Sequence, residues 1–301
     1  MHPDGLPTPQ RYFAMLATGL GITMAVLDSA VANIALPSIA HQLRIAPAEA
    51  FWIINAYQLT IVVSLLPLAS LGELIGYRRV YISGLAVFTV ASLGCALSHS
   101  LPTLVAARIL QGLGAGGVMS VNGAMVRFIY PQAHLGRGVG LNALIVGVAA
   151  AIGPTVASAI LSVGTWEWLF AVNVPIGIGA VLLAVRVLPY SNLGSKKFDY
   201  ISAGLNAVMF GLFFVGVDTF THNRGGGGLA IGEVAVAIAA GVALIRRELK
   251  TPQPLIPIDL LRSPTFSLSV GTSICSFTAY AMAFLALPFY LETLALKDQA
   301  S

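Results

Sequence analysis

Long apolar runs, each closed by a handful of polar or charged residues, recur along the whole chain. Taking one membrane crossing as about 20 predominantly apolar residues, the pattern predicts nine spans, at 12–36, 51–71, 80–98, 103–126, 138–162, 166–186, 201–218, 229–245 and 266–290. The joints between them are short, so each span is expected to run antiparallel to the next. Two polar stretches break the rhythm, at 189–200 and 246–264, and the second carries Pro252, Pro254 and Pro257. The expected organisation is therefore a six-span bundle over residues 1–188, linkers and a two-span hairpin over 189–264, and one further span within 265–301. Glycines at 225–228 supply the hairpin with a flexible turn.

Composition sharpens this picture. Hydrophobic residues make up 57% of the 301 positions and charged residues only 9%, where soluble proteins carry about 25% charged residues. The expected fold class is all-α and polytopic in a membrane. The formal charge of +4 would suggest nucleic acid in a soluble protein, but here it is better read as loop charge that sets orientation. With the N-terminus inside, twelve basic residues, among them Arg11, Arg78, Arg79, Lys196 and Lys197, fall on inner segments. Only Arg44, Arg224 and Lys297 fall on outer ones. That asymmetry predicts a cytoplasmic N-terminus, and Trp52, Trp166 and Trp168 then lie at outer ends as an interfacial belt. A cleaved signal peptide ending at Ala30-Val31-Ala32 is the competing reading, but the apolar run continues past that point to Pro37.

Cys95 and Cys275 both sit in apolar runs and read as small buried hydrophobes. The five histidines fall in expected loops or termini, which leaves an intramembrane histidine relay unsupported. Nucleophile elbow, P-loop and H-E-x-x-H patterns are missing from the sequence, so neither a hydrolase nor an ATP-driven pump is indicated. Neither a metal nor an organic cofactor is expected.

The candidate chemistry lies inside the spans. Arg108 occurs in LVAARILQGLGAGG, residues 104–117, and an uncompensated Arg in mid-membrane costs on the order of 3 kcal/mol. It is expected to face a polar interior and to find a partner. Gln111 and Gly112 lie one turn further on the same face, and Gly112 with Gly116 forms a G-x-x-x-G that admits a helix or a ligand close to the backbone. Asp28 lies in LDSAVANIALP of the first span. Desolvation disfavours the charged form of a carboxylate at such depth, which brings proton exchange within physiological reach; a capping or pairing role near a helix end competes with this. Asn33 is about 140° further round the helix and reads as an interhelical hydrogen-bonding residue.

Span 5 contains GVAAAIGPTVAS, in which Gly147, Ala151, Pro154 and Ser158 share a stripe about 60° wide. Generic small-residue packing competes with a specialised hinge or seal, and the Gly153-Pro154 pair favours the latter. After span 2, LGELIGYRRVY places Glu73 near Arg78 and Arg79 as a cytoplasmic latch, unless the arginines act only as orientation signals.

Together these stretches resemble the major facilitator superfamily and, within it, the fourteen-span drug:proton antiporters. LDSAVANIALP is similar to the family's first-span motif, with Ala30 where Thr is usual, and LVAARILQGLGAGG resembles its fourth-span motif through Arg108, Gln111, Gly112 and Gly114. GVAAAIGPTVAS resembles the antiporter motif through Gly147, Gly153 and Pro154, with Ala157 and Ser158 replacing paired glycines. WEWLFAVNVPIG is similar to the opening of span 6, with Glu167 in place of a basic residue. The loop keeps Gly76, Arg78 and Arg79 but has Glu73 for Asp and Tyr77 for Arg. The hairpin corresponds to the two extra central spans, and span 9 to the first helix of a second half that the chain otherwise lacks.

The resemblance implies proton-coupled efflux of hydrophobic, cationic drugs or toxic compounds across a bacterial cytoplasmic membrane, with a proton gradient as the energy source. In it Asp28 exchanges protons or attracts cations, Arg108 biases that site, Asn33, Gln111 and Gly112 contribute to the cavity, and Gly147, Gly153 and Pro154 resist leakage. Small molecules, protons and lipid are the implied partners, nucleic acid is not, and a missing second half or a second copy completes the path. A proton-coupled importer, an inactive fragment and a polytopic enzyme are the rival readings, and the enzyme lacks a catalytic cluster. The topology is checked by labelling single cysteines from outside. Lys196→Cys should stay unlabelled and Arg224→Cys should react, and the opposite pattern would invert the orientation.

Overall fold

The structure is a computed structural model that describes residues 4–191, 198–221, 227–251, 260, 262–279 and 282. It divides into two compact units, Met1–Leu244 and Ile245–Ser301. The helices are α1 Gln10–Leu43, α2 Pro47–Ile75, α3 Tyr77–Ala96, α4 Leu101–Ile129, α5 Leu135–Val163, α6 Glu167–Ala171, α7 Asn173–Val187, α8 Tyr200–Thr221 and α9 Gly227–Glu248. With α6 and α7 taken as one crossing, eight of the predicted spans are present as helices long and apolar enough to cross a membrane. In the second unit residues 264–279 are helical, and the remainder of the ninth predicted span lies outside the described residues. Gly227 and Gly228 belong to the first turn of α9, while Gly225 and Gly226 lie outside the described residues.

The first helix corrects one expectation. The sequence places its end at Pro37, yet α1 runs on to Leu43. A proline inside a helix forfeits one backbone bond, and a membrane bundle tolerates this where neighbouring helices compensate. Ile39 and Ala40, beyond the proline, pack into a cluster with Ile53, Leu104, Trp166 and Phe170. His41 therefore lies in the last turn of a helix rather than in a loop, and Trp166 is 1% exposed, a core residue instead of part of an interfacial belt. Trp168 does remain exposed. The helix closes in a Schellman arrangement, in which the Ile45 N–H donates to the Ala40 carbonyl at 3.1 Å and Arg44 adopts φ 54°. Pro47 then opens α2, where no intrahelical donor is needed.

Helix α4 is the hub, packed mainly against α2 and α3. Its glycines make that possible on both sides. A Cβ at Gly112 would stand 2.7 Å from the Tyr57 carbonyl oxygen of α2, and one at Gly114 would strike the backbone of Phe88 and Gly84 in α3. On the other flank α5 packs against α1. Two clusters fill the bundle, one around Tyr57, Tyr81, Phe88, Val118 and Met125, the other around Ile39, Ile53, Leu104 and Trp166. Between α2 and α3 the chain turns on Gly76 alone, at φ 101°, where a side chain would be strained.

The close approach at Gly114 has a measurable consequence. Gly114→Ala should destabilise the bundle by about 1–3 kcal/mol, the usual range for overpacking, when thermal unfolding is followed in detergent. Gly123→Ala, on the same helix with open space around it, should be neutral or stabilising, since Ala is favoured over Gly in helices by up to about 1 kcal/mol. Equal effects at the two positions would remove the packing argument.

Candidate functional site

The two charges singled out in the sequence meet. The Arg108 guanidinium on α4 pairs through Nη1 with Asp28 Oδ2 on α1, and both side chains are almost wholly buried, 0% and 1% exposed. Isolated charges at such a position would be prohibitive, so the neighbours must satisfy what the pair leaves over. They do most of this from three further helices. Arg108 Nη1 also donates to Gln111 Oε1 at 2.7 Å, and Nε donates to the Ile53 carbonyl of α2 at 3.0 Å. Gln111 Nε2 donates to Asp28 Oδ1 at 2.8 Å and to Ser92 Oγ of α3 at 2.9 Å. The Cys95 thiol donates to Gln111 Oε1 at 3.4 Å, and Asn173 Nδ2, at the start of α7, donates to Asp28 Oδ1 at 3.4 Å.

Aromatic faces complete the enclosure. The guanidinium carbon lies 4.1 Å from the Tyr57 ring centre and 5.5 Å from that of Phe170. Arg108 Nη2 is buried without a hydrogen-bond partner among the described residues, and the π-faces of these rings offset part of that loss. Tyr57 is itself fixed by donating its hydroxyl to the Ala25 carbonyl at 3.0 Å. By position along each helix the network lies between the two apolar clusters. Chemically the site is a closed acid–base pair, tied by one amide, in which any change in the charge of Asp28 is felt directly by Arg108 and Gln111.

The structure treats the other predicted residues differently. Gly112 is buried against Tyr57 and Thr60, so it brings the α2 backbone close instead of lining a cavity. Asn33 stays outside the network. It is exposed and donates to the Ser29 carbonyl of its own helix at 2.8 Å, because its position faces away from Asp28; the expected interhelical bond is corrected to a local one. On α5, Gly147, Ala151 and Ser158 are exposed, while the buried line is Ala149, Gly153 and Ala157. A Cβ at Gly153 would stand 2.5 Å from the Ala30 Cβ on α1. Of the two glycines predicted for the seal, Gly153 is thus the one in the α1 contact, and Pro154 beside it is half-buried.

At the other end of the bundle the two latch arginines donate to carbonyls. Arg78 donates to the Val185 carbonyl in the last turn of α7 and lies 3.9 Å above the Tyr190 ring, a favourable place for a cation at a helix C-terminus. Arg79 turns back to the Ile75 carbonyl at 3.3 Å, and Glu73 is half-buried in the last turn of α2. The Tyr77 N–H that opens α3 donates to Ser191 Oγ at 2.9 Å. Sequence reading missed Tyr190 and Ser191, as it missed Ser92, Tyr57, Cys95 and Asn173. Of these Asn173 carried a usable mark, an amide inside an apolar run.

The sequence matches the profile of the Major Facilitator Superfamily over residues 18–301. The uncharacterized transporter YebQ of Escherichia coli K12 is 52% identical over 292 residues, which cover 96% of this chain and 64% of that protein. The riboflavin transporter RibZ of Clostridioides difficile is 32% identical, with 95% of this chain and 62% of that protein covered. The tetracenomycin C resistance and export protein of Streptomyces glaucescens is 30% identical, with 96% and 53% covered. The chain thus spans 53% to 64% of the length of these relatives.

Removing one member of the pair should cost far more than removing both. Asp28→Leu or Arg108→Met alone strands a buried charge and should destabilise the chain by about 3–5 kcal/mol, whereas the double substitution should be much milder. Thermal unfolding of the three variants in detergent checks this, and additive losses would contradict the pairing.

Proposed function

The chain belongs to the Major Facilitator Superfamily, and on that premise we propose that it acts in proton-coupled antiport, exporting hydrophobic, cationic small molecules across a bacterial cytoplasmic membrane. The observation that carries this reading is the sealed Asp28–Arg108 pair, bridged by Gln111. Ionisable groups inside a membrane are costly, and their retention marks ion or substrate pathways. Asp28 is the proton-exchanging group in this mechanism. Its protonation cancels the charge that faces Arg108 and weakens both the ion pair and the Gln111 bridge. The tie between α1 and α4 then loosens, which couples proton occupancy to the packing of the bundle.

In this reading Asn173 positions Asp28, and the Ala149–Gly153–Ala157 line with Pro154 holds α5 against α1 as the seal. The six-span bundle forms one wall of the substrate path. Further spans of a longer chain, or a second copy, form the opposite wall. Each charge that crosses the membrane draws about 2.3 kcal/mol from every 100 mV of potential, which is sufficient for useful concentration of a substrate. The name of the tetracenomycin C resistance and export relative supports the outward direction. The riboflavin transporter, at similar identity, keeps a second reading open, a transporter of a metabolite such as riboflavin working as a proton-coupled importer.

The test compares residues 1–301 with a version extended by a related second half, both in an efflux-deficient host, using a fluorescent cationic dye. The short chain should insert without lowering dye accumulation, and the extended chain should lower it in a manner abolished by a protonophore. Asp28→Asn in the extended chain should abolish that efflux, because the amide matches the shape but cannot exchange a proton. Arg108→Ala should do the same, and Arg108→Lys should retain part of the activity. Full efflux by Asp28→Asn would remove Asp28 from the mechanism, and protonophore-sensitive uptake of riboflavin would favour the second reading.

A further inference from the structure

Pro67 stands inside α2, and a proline has no N–H to give to the carbonyl four residues earlier. That carbonyl belongs to Val63. In a membrane interior an unmet carbonyl is expensive, and here a donor arrives from another helix. Asn206 Nδ2 of α8 donates to the Val63 carbonyl at 2.8 Å. Asn206 is 0% exposed, and so is Ser202 one turn before it on the same face. A carbonyl can only accept, so the amide must turn its NH₂ towards α2. Its own Oδ1 is left buried without a partner among the described residues, so it is the Val63 acceptor that orients the amide. Towards the C-terminal end of α8 a second contact fixes the same pair of helices, where Phe214 meets Trp52 edge-on with ring centres 6.4 Å apart. In the other direction Asp199 accepts from the N–H groups of Ile201 and Ser202 and so caps the start of α8.

We propose that the face of α2 around Val63 and Pro67 is a docking surface for α8. The proline withholds one donor, Asn206 supplies it, and α8 is thereby pinned to the six-span bundle. The fit is reciprocal. It needs the proline to free the acceptor as much as it needs the amide to fill it. It does not depend on the transport reading, because it concerns only which helix α8 is bound to.

The reciprocity makes the test specific. Asn206→Leu is introduced into the 301-residue chain with Pro67 in place and again in a Pro67→Ala background, and the purified proteins are melted in detergent. With Pro67 present, Asn206→Leu should lower the melting temperature, because the Val63 carbonyl is stranded. In the Pro67→Ala background the carbonyl recovers its own helix donor, and Asn206→Leu should lower the melting temperature by less than half as much. In parallel, Trp52→Cys and Phe214→Cys are cross-linked in a Cys275→Ser background, and the chain is cut at a protease site inserted into residues 192–197. Asn206→Leu should reduce the fraction held together by at least twofold with Pro67, and adding Pro67→Ala should restore it. An equal loss of melting temperature in both backgrounds, no loss with Pro67, or an unchanged cross-link would each overturn the proposal.

Discussion

A positive and a negative charge placed inside an apolar bundle impose one requirement on everything around them: each must be neutralised and hydrogen-bonded without help from water. Asp28 of α1 and Arg108 of α4 meet most of it with Gln111 of α4 and with side chains or carbonyls from α2, α3 and α7, leaving Arg108 Nη2 to the aromatic faces beside it. The pair is therefore a poor source of stability taken alone, because desolvation offsets much of the attraction. Its structural effect is selective. The arrangement of those helices, with Phe170 of α6, presents an acceptor, an amide and two aromatic faces to the same guanidinium.

That arrangement demands short distances between helix axes, and the glycines of α4 provide them. Gly112 brings α2 close enough for Arg108 Nε to reach the Ile53 carbonyl, while Gly114 and Gly117 admit Gly84 of α3 and so hold Ser92 within reach of Gln111. In lipid there is no hydrophobic drive between helices of equal apolarity, so close backbone contact and interhelical hydrogen bonds carry the association. The bundle combines both on one helix: the glycines of α4 are smooth for packing, and Arg108 and Gln111, one turn apart, are polar for specificity.

Much of this was legible in the residues. A charge in an apolar run can be seen without any fold, and Asp28 and Arg108 stood out for that reason, with Gln111 one turn beyond Arg108 on the same face. Ser92, Tyr57 and Cys95 did not, since a serine, a tyrosine and a cysteine are ordinary inside a span until one knows which face meets which neighbour. Span 5 shows the same limit. Helical arithmetic picks out the stripe of Gly147, Ala151, Pro154 and Ser158 on α5, whereas the contact with Ala30 of α1 falls on Gly153. Pro37 misled for a related reason: the local cost of the proline is visible in the sequence, whereas the burial of Ile39 and Ala40 that offsets it belongs to the assembled bundle.

The partners Asp28 and Arg108 are 80 positions apart, and a ribosome makes α1 long before it makes α4. At about 5–20 residues per second, roughly 4–16 s pass between them. For that interval the growing chain carries a membrane acid with no cation. The acid must be held neutral by a proton or kept beside water in the insertion machinery, so α1 is a segment whose settling into the bilayer waits on α4.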